Sequence, residues 1–337
     1  MKKILTITAV LCALAGAAKA QDSSSNQVLS TIAIGSCNRQ EAPQIIWPNI
    51  ANKNPELWVW LGDNIYGDSE DLNVLKTKYE LQKNNPAYKR FTSEIPVIGI
   101  WDDHDYGVND GGKEYPKKKE SKELMFNFLD VPANHPARKR EGAFQSYEYG
   151  VDGKRVKIIL LDIRYFREEL HRENGRYELN WDGKILGEKQ WAWLEKELTD
   201  SNADMHIIGS GIQFIVQEHP YEKWGNFPKE RQRMLDLVVK TQPKNVLFLS
   251  GDRHISEVAS MYVPGYGKVF DFTSSGMTHS FESSTELNAF RISDLITQKS
   301  FGLMQIDWQG ENTSVNCQMF SPEGSLIDEV TIKWDKR

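Results

Sequence analysis

A chain of 337 residues with 41 Lys and Arg against 47 Asp and Glu carries a formal charge of -6, which argues against nucleic acid as a stable partner, since such proteins present basic surfaces. Its 10 Trp and 14 Phe supply enough apolar bulk for a core that needs no disulfide support. The length fits one large domain or two small ones.

Taken from the start, Lys2 and Lys3 precede an apolar run over 4–16 and the small-x-small triplet Ala18-Lys19-Ala20. This is the pattern of a secretory signal peptide over residues 1–20, so the mature protein is expected to be soluble and exported, periplasmic or extracellular. No stretch reaches the about 20 apolar residues of a transmembrane helix. Cys12 follows Val10-Leu11, where a lipoprotein anchor would place a small residue, so no lipid anchor is expected. Residues 21–29 read as a short polar lead-in and 30–337 as a single domain, with a charged insertion at 113–122 and no linker to divide it. Beyond the leader only Cys37 and Cys317 remain. In an oxidising compartment two cysteines can pair, although the neighbours of Cys37 argue for another role.

Six short runs at 31–35, 57–61, 96–101, 156–161, 205–208 and 246–249 are apolar on both faces and rich in β-branched residues, the mark of buried strands. Between them, 71–91, 120–129, 187–198 and 229–240 space their apolar residues by three and four, as amphipathic helices do. The alternation predicts an α/β fold with a largely parallel core. Three runs at 301–308, 314–320 and 326–334 predict antiparallel strands at the C-terminal end.

Open α/β sheets bind their ligands beyond the carboxyl ends of strands, and here five such ends are polar. They read Gly35-Ser36-Cys37-Asn38, Gly62-Asp63-Asn64-Ile65-Tyr66, Trp101-Asp102-Asp103-His104-Asp105, Leu161-Asp162-Ile163-Arg164 and Ser250-Gly251-Asp252-Arg253-His254. One Asp after a strand is ordinarily a cap or turn residue. Carboxylates gathered at this density repel one another and raise their own pKa values, and multivalent cations remove that conflict. Cys37 and Tyr66 are poor partners for magnesium or calcium, which take neutral or carboxylate oxygens. A tyrosine with a free pKa near ~10 yields its proton at neutral pH only to a strong Lewis acid, as ferric iron is. Asp103, Asp252 and a shared, bridging Asp63 make an all-oxygen set suited to calcium, magnesium or manganese. From spacing alone, Tyr66 fits a core aromatic equally well.

The blocks resemble the calcineurin-like metallophosphoesterase superfamily, and within it the PhoD-like alkaline phosphatases. Ser36-Cys37, Gly62 to Tyr66, Asp102 to Asp105 and Gly251 to His254 stand in for that branch's Ser-Cys, Gly-Asp-x-Ile-Tyr, Asp-Asp-His-Asp and Gly-Asp-x-His blocks. Further similar stretches are Leu160 to Tyr165, Trp224 to Arg231 and Thr273 to Gly276, so the resemblance spans about residues 30–335. It implies a four-layer α/β/β/α sandwich with mixed sheets, and hydrolysis of phosphomonoesters or phosphodiesters with Fe(3+) and Ca(2+), with Mg, Mn or Zn as alternatives at the second site. It implies Cys37, Asp63, Tyr66 and His254 as iron ligands and Asp63, Asp103 and Asp252 around the neighbouring ion. Purple acid phosphatases share the Gly-Asp-x-x-Tyr spacing but require His at position 252 and Asn at 103, and this sequence has Asp at both. Many bacterial members of the branch carry a β domain before the Ser-Cys block, where only the short lead-in is expected here after cleavage, and the segment at 224–228 departs by reading Trp-Gly-Asn-Phe-Pro.

The expected mechanism is in-line attack on phosphorus by a metal-bound hydroxide, acting on a small phosphate-ester substrate. His104 is the expected general acid, with Asp105 holding its tautomer, and Arg164 the expected phosphate binder; a salt bridge to Asp162 is the competing reading of Arg164. Asn64, Asp105, Asp162, Gln213, Trp224 and His279 are candidates for the substrate mouth or for supporting contacts, with a turn histidine as the alternative for His279. Gln213 stands where the wider superfamily often has a histidine ligand. A phospholipase-D-like phosphodiesterase and a non-catalytic metal-binding protein of the same fold are the alternative readings. The sequence leaves the oligomeric state open.

Overall fold

The computed structural model describes residues 24–309 and 313–335; the expected leader at 1–20 lies outside the described residues. In chain order the first elements are β1 (Ser24–Ser25), β2 (Thr31–Gly35), α1 (Ile46–Ala51), β3 (Leu57–Leu61), α2 (Leu72–Lys83), α3 (Pro86–Glu94) and β4 (Val97–Ile100). The middle of the chain gives α4 (Asp103–Tyr106), α5 (Lys118–Phe128), β5 (Gln145–Tyr149), β6 (Val156–Leu160), a small hairpin β7 (Arg172–Glu173) and β8 (Arg176–Tyr177), α6 (Gly187–Thr199) and β9 (Met205–Gly209). After α7 (Pro228–Thr241) come six strands: β10 (Val246–Ser250), β11 (Ser256–Val263), β12 (Gly267–Ser274), β13 (Phe301–Asp307), β14 (Ser314–Phe320) and β15 (Leu326–Lys333).

Two mixed sheets result, ordered β15-β14-β13-β2-β3-β4 and β1-β5-β6-β9-β10-β12-β11. In the first, β2, β3 and β4 run parallel, while β13 and the C-terminal strands add antiparallel. In the second, β6, β9, β10 and β12 are parallel and β11 closes one side antiparallel. The sheets face each other between helical layers, which is the four-layer α/β/β/α sandwich. Strand pleating explains the two-sided apolar runs, because successive side chains point to opposite faces. Met205, Ile207, Leu247 and Leu249 join Val59, Leu61 and Phe272 in one core. Their neighbours Ile208, Val246 and Phe248 pack with Trp191 and Leu194 of α6 and Met234 and Val238 of α7 in another. Close approach of the sheets depends on missing side chains: a Cβ at Gly302 would stand 2.9 Å from Phe272 Cζ. On the first sheet, Trp47 of α1 meets Trp58 and Trp60 of β3 edge-on at 5.3 and 5.4 Å and Tyr88 of α3 at 4.7 Å.

Several expectations change. The helix predicted over 71–91 is two helices, because Pro86 has no N–H for the preceding turn and starts a new one, with Asn85 Oδ1 accepting from the N–H groups of Ala87 and Tyr88. The charged stretch at 113–122 is built into the fold: it runs into α5, and Lys122 is buried with Nζ donating to the carbonyls of Arg138 and Arg140. Ser24 and Ser25 of the lead-in pair with Glu148 and Tyr149. Strands β5, β11 and β12 were not evident in the sequence, since their polar residues break the apolar runs. Cys37 and Cys317 are both buried free thiols. Cys317 is level with Met304, which is level with Ile32, so two strand spacings and five residues separate it from Cys37, far beyond the about 7 Å Cα limit of a disulfide.

His206, on the helix-facing side of β9, is 1 % exposed, donates from Nδ1 to the Lys244 carbonyl at 2.8 Å and accepts at Nε2 from Ser201 Oγ at 2.8 Å. Burial holds its pKa down at about 4. The neutral ring is the folded form, so the stability it contributes is complete above its unfolded pKa of ~6.5 and is lost as pH falls towards 4. Replacing His206 by Gln should reduce the pH slope of unfolding free energy in that window by about 1.4 kcal/mol per pH unit, one proton's worth. Urea midpoints measured from pH 7 to 4 check this; parallel curves for the two proteins count against it.

Candidate metal centre

The carboxyl ends of β2, β3, β4 and β10 meet where the two sheets abut. Contact between the sheets is direct there: Ser36 Oγ donates to the Ser274 carbonyl at 3.0 Å and Met277 N–H to the Ser36 carbonyl at 3.2 Å, while within the first sheet Asn38 N–H donates to the Asp63 carbonyl at 2.9 Å. The chain turns sharply as it leaves each strand. Cys37, Asp63, Asp252 and His254 have φ of 60°, 50°, 63° and 55°, a left-handed conformation that costs non-glycine residues about 1–2 kcal/mol each. Gly62, at φ 97°, lets Asp63 enter: a Cβ there would lie 2.4 Å from Asp102 Cβ.

Around Asp63, Cys37 Sγ and Tyr66 Oη each lie 3.3 Å from Oδ2, and Tyr66 Oη lies 3.0 Å from His254 Nε2. Ser275 Oγ sits 3.0 Å from the Cys37 sulfur and accepts the His254 N–H at 2.7 Å. One potential ligand atom each from Cys37, Asp63 and His254 falls within a 4.8 Å span, as it does for Asp63, Asp103 and His104, and for Asp102, Asp103 and Asp252. Asp63 and Asp103 therefore link adjoining groups. Asp103 Oδ2 accepts the Asp110 N–H at 2.6 Å, whereas Asp63 Oδ1, Asp102 Oδ2 and Asp103 Oδ1 are buried without any hydrogen-bond partner. Buried carboxylate oxygens demand a partner.

The electrostatics agree. Burial, then Cys37 and Asp103, push the Asp63 carboxyl well up, and burial raises Asp252 to about 6. Asp103 alone is held down at about 2: burial opposes ionisation, but Arg164 and His104 outweigh it. Burial pushes the Cys37 thiol up to about 11 and, with Cys37 and Asp63, raises the Tyr66 phenol further. Both are protonated at neutral pH unless a strongly polarising ion displaces the protons. The donor set and its orphaned oxygens fit cations: sulfur, phenol and imidazole on one side of Asp63, carboxylates on the other.

His104 packs its ring 4.2 Å from that of Tyr66 and shares a 2.6 Å hydrogen bond from Nδ1 with Asp68 Oδ1. Asp105 does not hold it. Instead, Asp105 accepts the backbone N–H groups of Asp63, Asn64 and Asp102 at 3.2, 3.2 and 2.7 Å, tying the second block to the third. Asn64 braces the same turn, its Nδ2 donating to the Ile100 carbonyl at 3.1 Å. Asp162 accepts from Trp101 Nε1 and from the N–H groups of Ala143, Arg164 and Tyr165; it organises a loop behind the site. His279 stands at the edge, its ring 4.4 Å from His254 and 4.9 Å from Tyr66.

Two further expectations change, for Arg164 and Trp224, and Gln213 is placed among supporting contacts. Arg164 has no exposed surface; Nε donates to Asp102 Oδ1 at 2.5 Å and Nη1 to Glu222 Oε2 at 2.6 Å, so its guanidinium supports carboxylates from behind and touches neither substrate space nor the Asp162 carboxylate. Trp224 is wholly buried, donating to Ser210 Oγ at 3.0 Å, because its indole completes the core against Phe214. Gln213 Nε2 donates to Glu257 Oε1 and Thr273 Oγ1 at 2.9 and 2.8 Å, while Oε1 is buried without a partner.

Beside the carboxylates opens a cleft of ≈ 350 Å³ whose lining includes Asp103, His104, Asp252 and His254 together with Asp110, Tyr177, Tyr221, Glu222, Arg253 and Phe281. That volume suits a small ligand. Asp102 and Asp68 were in view in the sequence, next to Asp103 and two residues after Tyr66, but nothing in their spacing separated them from cap residues. Tyr177 and Tyr221 carried no signal at all, because loops distant in sequence bring them to the cleft.

Residues 32–315 match the family model described as PhoD-like phosphatase. Alkaline phosphatase D of Bacillus subtilis (strain 168) is 22% identical over 275 residues, which cover 69% of this chain and 47% of that protein; the chain thus spans about half the length of this curated relative. The solved structure of PhoD matches with a TM-score of 0.76 at 15% identity, over 92% of this chain and 70% of that one. GAP50, the anchor in the inner membrane complex of Plasmodium, matches with a TM-score of 0.60 at 14% identity, over 92% and 90% of the two chains. At these identities the two structures share the fold.

Replacing Arg164 by Met leaves Asp102 buried without its counter-charge and Glu222 with Arg167 alone, and should destabilise the protein by about 3–5 kcal/mol. Replacing Lys189 by Ala, which removes an ion pair to Glu141 that is 75% and 49% exposed, should change stability little. Denaturant unfolding of both variants checks the contrast, and an Arg164 variant as stable as the wild type would return its guanidinium to the candidates for substrate contact.

Proposed function

The chain belongs to the PhoD-like phosphatase family, and on that premise we propose that it is an exported, metal-dependent hydrolase of small phosphate esters. The observation that carries the proposal is a cluster of potential metal ligands, Cys37, Asp63, Tyr66, His254, Asp102, Asp103 and Asp252, in which Asp63, Asp102 and Asp103 each bury an oxygen without a partner, beside a cleft that His104 also lines. Export rests on the leader-like residues 1–20. Among the described residues no helix is long and apolar enough to cross a membrane.

Cys37, Asp63, Tyr66 and His254 would hold ferric iron; Asp103 and Asp252, with Asp102 and a share of Asp63, would hold calcium or, alternatively, magnesium, manganese or zinc. When bound, such cations supply an acidified water and neutralise charge that builds on phosphoryl oxygens. The other roles fall to the chain. Asp63 gives Oδ2 to the sulfur and phenol side while Oδ1 has no partner, the disposition a bridging carboxylate needs. Asp110 fixes one oxygen of Asp103 and leaves the other free. Asp68 accepts from His104 Nδ1 and so directs proton donation to the leaving oxygen through Nε2.

Purified protein should contain iron together with an oxygen-ligated divalent metal and hydrolyse a phosphomonoester or a phosphodiester; a protein that binds only zinc and turns over neither overturns the proposal. Replacing Tyr66 by Phe should abolish iron and any visible charge-transfer band, read by metal analysis and absorption. Full iron with an unchanged spectrum in that variant counts against Tyr66 as a ligand.

Replacing His104 by Ala should leave both metals bound and slow esters with alkyl leaving groups by about 10²–10⁴-fold, with a smaller loss on activated aryl phosphates, which need no proton. Equal losses on both ester types exclude the acid role.

A further inference from the structure

Two arginines line the cleft whose chemistry the proposed reaction has not used, Arg172 and Arg253; Arg172 is exposed on the β7–β8 hairpin, its Nη2 donating to the Gly175 carbonyl at 3.2 Å, whereas Arg253 is held beside the candidate ligands. Arg253 lies between two candidate ligands, Asp252 and His254, lines the cleft, and is 5 % exposed. Its Cζ stands 3.9 Å over the ring of Tyr221, another cleft residue. Nη2 is held by Glu286 Oε1. Nη1 comes no nearer to Asp252 Oδ2 than 4.0 Å, and Nε is buried with no hydrogen-bond partner. A guanidinium stacked on one face and pinned at one nitrogen has its plane fixed, and such a pre-oriented fork is suited to binding the oxygens of phosphate. The contrast with Arg164 is instructive. That side chain has no exposed surface, spends Nε on Asp102 and Nη1 on Glu222, and turns its remaining nitrogen, Nη2, towards Asp103 Oδ1 at 3.9 Å without lining the cleft.

We propose that Arg253 is the phosphate-binding residue of the cleft, gripping non-bridging oxygens of the ester through its uncommitted N–H groups, with Tyr221 and Glu286 as its positioning residues. The proposal rests on the phosphoesterase reading and adds a residue to it. Its position serves the chemistry: a cation fixed beside Asp252 and His254 places the phosphoryl group against the candidate metal centre before any bond changes. A merely structural Arg253–Glu286 pair would stabilise the fold without affecting ligand affinity.

The test compares metal-loaded wild type, Arg253→Gln and Arg253→Lys. Affinity for inorganic phosphate is measured by calorimetry, kcat and KM on a phosphomonoester by steady-state kinetics, and metal content and melting temperature as controls. In Arg253→Gln the phosphate Kd should rise at least ~10-fold, as expected for loss of a charge-assisted hydrogen bond, with metal content unchanged. Arg253→Lys, which keeps the charge and loses the planar fork, should fall between. Wild-type phosphate affinity in Arg253→Gln, or a loss that follows departed metal, overturns the proposal. If Arg253→Gln does not fold, the Lys variant decides: affinity equal to wild type in it overturns the role of the fork. A wild-type protein that neither binds phosphate nor hydrolyses esters sinks the phosphoesterase reading itself, an outcome distinct from an active wild type with an indifferent Arg253.

Discussion

Everything at the candidate centre follows from crowding negative and proton-bearing groups into a place largely shielded from water. Asp63, Asp102 and Asp103 each bury an oxygen with no hydrogen-bond partner, and four nearby residues adopt left-handed backbone to bring their side chains in. Folding alone does not favour such an arrangement. Like charges in a poorly solvated site raise one another's pKa, and strained backbone adds to the cost. A multivalent cation is the partner that satisfies the sulfur, the phenol and the carboxylates together, which is why the donor set is the strongest argument for metal chemistry.

The scaffold supplies the rigidity that this crowding requires. Parallel strands bring their carboxyl ends to one edge, and the packing of two sheets lets Ser36 and Cys37 of one touch Ser274 and Ser275 of the other. Glycines at 62, 211 and 251 allow backbone to approach closely; at each, a Cβ would fall 2.4–2.6 Å from a neighbouring atom. Behind this layer, Arg164 neutralises Asp102 and Glu222, and Arg167 Nε lies 3.0 Å from the other oxygen of Glu222. The charged residues thus form two tiers. The front tier leaves oxygens free for ligands, and the rear tier leaves the carboxylates fixed.

This division sets the roles of the two arginines that the sequence displays after strand ends. Arg164 follows β6 and turns inward, where burial is complete. Arg253 follows β10 and reaches the cleft, stacked on Tyr221. Position after a strand was the same in both cases. The difference comes from what surrounds each side chain in space.

The sequence by itself determined the α/β class, the parallel strands, the C-terminal antiparallel run and the blocks that converge, since apolar periodicity and the residues closing each strand are local properties. It also singled out Cys37, Asp63, Tyr66, Asp103, Asp252 and His254, which the fold brings to one place. Only the tertiary structure decided that Asp68 and not Asp105 meets His104, that Trp224 belongs to a core, and that Arg164 is shut away while Arg253 faces the cleft. These are outcomes of packing between segments tens to hundreds of residues apart. A side chain's partners are fixed by which strands stand side by side, and no local pattern of residue types carries that information.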